Sequence, residues 1–195
     1  MRTKICVVLC LLAISSSLFA DEYIRVNTKN VDLVLRVKDD GRLHQSYLGK
    51  RLKDESDLRH LPQGPEAYLT HGMEDYFEPA IEVTHNDKNP SLLLKHQSHE
   101  TQKGDGFTET IITLKDDKYP TTVVLHYAAY SEEDIIKTWA EITNGEKKPV
   151  MLKKYASSML HFNRANYFLT EFSGDWADEA HMSCNERSFG KKVVD

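Results

Sequence analysis

The chain has 195 residues, with 25 Lys and Arg against 30 Asp and Glu, and a formal net charge of −5 at pH 7. Such an acidic balance argues against nucleic acid or an anionic membrane surface as partner, because both require a positive face. The length suits one domain with a sizeable core.

Residues 1–20 have the layout of a secretory leader. MRTK is a short basic head, an apolar run follows from Ile5 to Phe19, and Ala20 precedes the charged pair Asp21-Glu22. The run is short and Ser-rich for a bilayer span, and nothing later in the sequence approaches spanning length, so no membrane span is expected. The expected processed protein, residues 21–195, is secreted or periplasmic. Cys6 and Cys10 leave with the leader, so Cys184 remains without an internal disulfide partner. Arg2 and Lys4 leave as well, and 23 basic residues then face 30 acidic ones.

From Tyr23 onward the pattern is β. YIRVNTK and VDLVLRV alternate apolar and polar residues, Asp39-Asp40-Gly41 supplies a turn, and RLHQSYLG resumes the alternation. Further β runs are AIEVTH, SLLLKHQS, FTETIITLK, TTVVLHYAAY, DIIKTWAEIT, VMLKKYASSML and YFLTEF, separated by Asn-Pro, Gly-Asp-Gly, Tyr-Pro and Asn-Gly turns. DIIKTWAEIT also fits a helical spacing. Its β-branched content and Asn-Gly stop favour a strand, with Ile136, Thr138, Ala140 and Ile142 on one face and Ile135, Lys137, Trp139 and Glu141 on the other. Evenly spaced strands predict an all-β, antiparallel β-sandwich. Residues 50–80 break the pattern with three prolines and two glycines, and a stretch of this length is functional, disordered or docked on something else.

The residue chemistry discriminates weakly. His96 and His99 are the tightest pair among nine histidines, but residues three apart on a regular strand point to opposite faces, so no metal site is expected. Cys184 has no partner identifiable from sequence, and no serine elbow, phosphate-cradling loop or dinucleotide fingerprint is present. Acid clusters such as Glu132-Glu133-Asp134 read as solvated turns, while a glycosidase requires two carboxyls at a set separation. The aromatics Tyr68, Tyr76, Phe77 and Trp176 lie where they could stack on sugar rings or fill a sandwich.

Four segments, in order, resemble the N-terminal β-domain of glycoside hydrolase family 36, the melibiase-type α-galactosidases. They are Tyr47-Leu48-Gly49-Lys50; Leu61-Pro62-Gln63 with Gly72 through Ala80; Tyr127 to Tyr130 with Asp134-Ile135-Ile136 and the run from Trp139 to Asn144; and Phe172 through Gly174-Asp175-Trp176 to Glu179. The resemblance implies part of a galactose-mutarotase-like β-supersandwich, incomplete at its C-terminal end in residues 21–195. It implies a parent enzyme that removes terminal α-linked galactose from oligosaccharides by a retaining mechanism, with two aspartates in a (β/α)₈ barrel absent from this chain. Partners implied are a galactose-containing oligosaccharide, met through the parent enzyme, the missing barrel, and further copies in a homo-oligomer. No metal or organic cofactor is implied.

Within the chain no catalytic residue is expected. Asp75, Tyr76 and Trp176 are the candidates for substrate binding or loop positioning, with Trp176 expected to pack at a sandwich corner. Phe77 stands where the family motif carries Arg, and the segment between Lys50 and Leu61 is shorter than in many members, so no substrate contact is carried over from that loop. A free-standing carbohydrate-binding β-sandwich is the alternative, and a supersandwich of another glycosidase family is a third reading.

Overall fold

The computed structural model describes residues 21–73, 77–162 and 167–186. The expected leader lies outside them. Eleven strands and one short 3-10 helix occupy the described residues, and every strand pair is antiparallel. No helix among them is long and apolar enough to cross a membrane. The chain divides into two compact units, one ending at Met159 and the other beginning at Leu160.

The first unit contains three sheets. Strands β1 (Glu22–Asn27), β2 (Val31–Val37) and β3 (Leu43–Lys50) form a meander in that order. Gly41 turns the chain between β2 and β3 at φ 82°, a conformation that costs glycine little. Strands β5 (Leu94–Lys103), β6 (Thr108–Asp116), β7 (Thr121–Tyr130) and β8 (Ile135–Asn144) form a second meander. A two-stranded sheet pairs β4 (Ile81–Thr84) with β9 (Met151–Tyr155).

Period-2 alternation sends one row of each sheet into a shared core. Ile24, Val26, Leu33, Leu35 and Leu43 from the first meander cluster with Leu94, Ile112, Leu114, Val123, Leu125, Tyr127 and Ala129 from the second, and with Ile81 and Val83 from β4. The ambiguous segment is a strand, as the Asn-Gly stop implied. Ile136, Ala140 and Ile142 lie opposite Ala129, Leu125 and Val123 and pack against the core. Its other face carries Trp139, stacked on His126 with ring centroids 4.6 Å apart.

The irregular stretch at 50–80 is docked on this sandwich. A 3-10 helix spans Glu55–His60, capped by Asp54 accepting from the Ser56 N–H. Residues 66–70 then run through the core, with Ala67, Tyr68 and Leu69 each 2 % exposed. Tyr68, grouped in the sequence with the sugar-stacking aromatics, is therefore a core residue. Its hydroxyl donates to the Ala156 carbonyl at 2.7 Å, and burial pushes its pKa up to about 12.

In the second unit, β10 (Phe168–Asp175) and β11 (Asp178–Glu186) form a hairpin with a register shift between Ser173 and Asp175. Alternation leaves Phe168 and Phe172 on one exposed face of β10, with Met182 paired opposite Phe172.

Candidate functional site

Three places gather the residues that the sequence singles out. The first is the loop from His71 to Pro79, which includes Asp75 and Tyr76. Both of these lie outside the described residues, but the loop's two ends are well defined. Thr70 and Ile81 form a parallel bridge, the Ala80 N–H donates to the Leu69 carbonyl at 2.8 Å, and Thr70 Oγ1 donates to the Leu92 carbonyl at 2.5 Å. Gly72 sits at φ +87°, and a Cβ there would lie 2.6 Å from Ser91 Oγ, so the motif's glycine lets the loop pass against the 85–92 segment. That segment is itself braced. The imidazole of His85 stacks on Tyr119 at 3.5 Å between centroids, and its Nδ1 meets Glu146 Oε1 at 2.7 Å. Beyond the loop's apex, Glu78 pairs with Lys154 of β9. Phe77 is 65 % exposed. The loop thus places an aromatic ring where the family motif carries a guanidinium, and that position offers no bidentate donor to a carboxylate or hydroxyl.

The second place is the tip of the β10–β11 hairpin. Trp176 and Ala177 form the two-residue loop between Asp175 and Asp178, with Ala177 at φ 64° and the Trp176 N–H donating to Asp175 Oδ1 at 2.7 Å. The turn expected at Gly174-Asp175-Trp176 is present. The expected packing of Trp176 is not, since the indole is 93 % exposed. A two-residue hairpin loop projects its side chains away from both strands, which leaves this ring bare among the described residues. The neighbouring Ala180 is also at φ 64°, and the register shift at Ser173 interrupts the ladder beside it.

The third place was hidden in the sequence. A bulge at Gln97 interrupts β5, so His96 lies opposite Leu114 while Ser98 lies opposite Thr113. Ordinary parity would send His96 and His99 to opposite faces. The extra residue restores them to one face, with His99 opposite Ile112 on the same row as Leu114. Their rings meet, His96 Nε2 to His99 Nδ1, at 3.2 Å. Glu22 of β1 completes a group of three. A dense His-x-x-His on an otherwise regular strand is the one signal that could have prompted a search for a bulge.

Comparison with known proteins follows from this geometry. The family model described as the glycosyl hydrolase family 36 N-terminal domain matches residues 35–195. The chain belongs to this family. Among curated relatives, the α-galactosidase Mel36A of Lactobacillus acidophilus is 22 % identical over 204 residues, which covers 86 % of this chain and 28 % of Mel36A. Among solved structures, the family 36 α-galactosidase AgaA of Geobacillus stearothermophilus superposes with a TM-score of 0.80 at 19 % identity, covering 87 % of this chain and 28 % of AgaA. AgaB from the same organism gives 0.75 at 21 % identity, covering 88 % and 29 %. AgaA variants have been crystallised with raffinose and with stachyose. The family 36 domain described here therefore spans under a third of the length of the relatives it matches.

Proposed function

We propose that this chain is the N-terminal, non-catalytic domain of an exported α-galactosidase that removes terminal α-linked galactose from oligosaccharides. The observation that carries this reading is the extent of the match: most of this chain superposes on AgaA, yet it accounts for only 28 % of that enzyme. On this reading the retaining double displacement belongs to two carboxylates in a barrel outside this sequence, the closely spaced pair that retention requires. The domain's own part is to hold the 71–79 loop, with Asp75 and Tyr76, on a rigid β scaffold and present it to the barrel or to another copy in a homo-oligomer. Raffinose and stachyose, bound by AgaA variants, support galactose-containing oligosaccharides as the substrate class.

The exposed apolar surface agrees with a neighbour that covers it. Met151 and Tyr155 of β9 are 62 % and 68 % exposed, and Phe168, Phe172 and Met182 of the hairpin are 64–68 % exposed. A single soluble domain rarely leaves this many large apolar side chains bare. One observation favours the alternative of a free-standing carbohydrate-binding module, namely the bare indole of Trp176, a suitable platform for the apolar face of a sugar ring. Sequencing the transcript beyond the codon for Asp195 separates the two. In-frame continuation into alternating strands and helices with paired aspartates is the expected result. A stop codon there, with a product that binds galactosides, would establish the module instead.

A further inference from the structure

Glu22, His96 and His99 meet at the rim of the sandwich, where inward-facing rows of two different sheets run out. On β1 the row is Glu22, Ile24, Val26, of which Ile24 and Val26 belong to the core. On β5 it is Leu94, His96 and, past the bulge, His99. One ligand atom from each of the three side chains lies within 4.8 Å of the other two. His99 Nδ1 is 3.8 Å from Glu22 Oε1, while His96 turns Nδ1 to Glu22 Oε2 at 3.9 Å and its other ring nitrogen, Nε2, to His99 Nδ1 at 3.2 Å, so the His96 ring must turn to bring a single nitrogen to both. A tetrahedral ion with bonds of about 2.0–2.1 Å sets its ligands about 3.4 Å apart, so small side-chain rotations convert this cluster into a chelate.

We propose that Glu22, His96 and His99 form a binding site for one zinc-type divalent cation, with the fourth position open to water. Two imidazole nitrogens and one carboxylate match zinc and cobalt, whereas calcium and magnesium take oxygen ligands. His96 is partly withdrawn from solvent, at 11 % side-chain exposure. Its position is also fixed from the backbone, because its N–H donates to the Gly41 carbonyl at 2.8 Å and so ties the bulged strand to the β2–β3 turn.

The role that follows is structural. β1 belongs to one sheet and β5 is an edge strand of the other, so the ion clamps the sandwich across its open rim. Among the described residues the lone cysteine, Cys184, is free and exposed, so no disulfide does that work. An ion held only by the folded state stabilises it by mass action.

The test uses the full chain, stripped with a chelator and titrated with zinc chloride in a calorimeter. The expected result is one ion per chain, with zinc raising the melting midpoint. His96→Ala and His99→Ala should each weaken binding at least 10-fold, and Glu22→Gln roughly 10-fold, a loss typical of a disrupted metal site. His60→Ala with His71→Ala should leave binding unchanged. Cobalt added to the unmutated chain should give the intense visible absorption of a four-coordinate site, a readout independent of whether any variant folds. No zinc retained above buffer would overturn the proposal, leaving a hydrogen-bonded trio. Equal retention by the His96→Ala and His99→Ala chains would overturn it too, assigning the metal to the other histidines.

Discussion

Tyr68 fastens the start of the loop-bearing segment to the core through one ring and one hydrogen bond. Tyr68→Phe keeps the ring and leaves the Ala156 carbonyl unpaired, an expected loss of about 1–2 kcal/mol. Tyr68→Ala also empties a core site and should cost about 3–5 kcal/mol, both read by urea unfolding. Asp134 works differently. It closes the β7–β8 turn at φ 55°, accepting from the Asn30 side chain at 2.5 Å, the Asn30 N–H at 2.8 Å and Thr28 Oγ1 at 2.8 Å. These donors, Asn30 foremost, hold its carboxyl below the ordinary value of 3.8. A carboxyl with a depressed folded-state pKa stabilises the fold above its ordinary value and loses that contribution as pH falls through the folded value. Asp134→Asn tolerates the same backbone angle, removes the charge and turns one of the two accepting oxygens into an N–H donor. The variant should melt below the parent at pH 7, and the gap should close as the pH is taken below 3.8. A gap that persists unchanged in acid would show that the charge is not what Asp134 contributes.

At the scale of elements, legibility follows regularity. β7 begins and ends where TTVVLHYAAY does, because a β-branched and aromatic run bounded by the Tyr-Pro turn and the 131–134 turn is paired on both edges. The β10 run was equally readable, but β11 was not. DEAHMSCNE carries little apolar alternation, and its strand form depends on pairing with β10 across the Trp176 loop. Residues 66–70 were missed as core for a related reason. Their burial is set by the antiparallel run of residues 63–67 along β3, which passes closely at Gly64, not by periodicity. Gly64 is at φ +70°, and a Cβ there would lie 1.8 Å from the Gln45 carbonyl oxygen. Gly64→Ala should therefore cost at least about 2 kcal/mol, from left-handed strain together with displacement of β3, measured by denaturant unfolding. Loss of less than 0.5 kcal/mol would mean the 61–66 segment moves aside freely, within the range of ordinary surface substitutions. The β5 bulge escaped prediction because parity arguments assume an uninterrupted ladder, and a single extra residue inverts their conclusion. The family loop was legible as a motif, yet its most visible departure, Phe77 in place of Arg, acquires meaning only once the ring is found exposed.

For the whole molecule, the fold and the family agree, and on the proposed reading the chemistry lies elsewhere. The sandwich core of the first unit is deeply buried, while β9 and the hairpin carry bare apolar side chains. That contrast supports the proposed reading, in which further protein covers these side chains. On the proposed reading the domain positions the loop and does not catalyse. Incubating the purified chain with an aryl α-galactoside tests it most directly. The predicted result is release of the aryl group no faster than in buffer alone. Sustained turnover that copurifies with the chain would place the catalytic carboxylates inside these 195 residues and contradict the account.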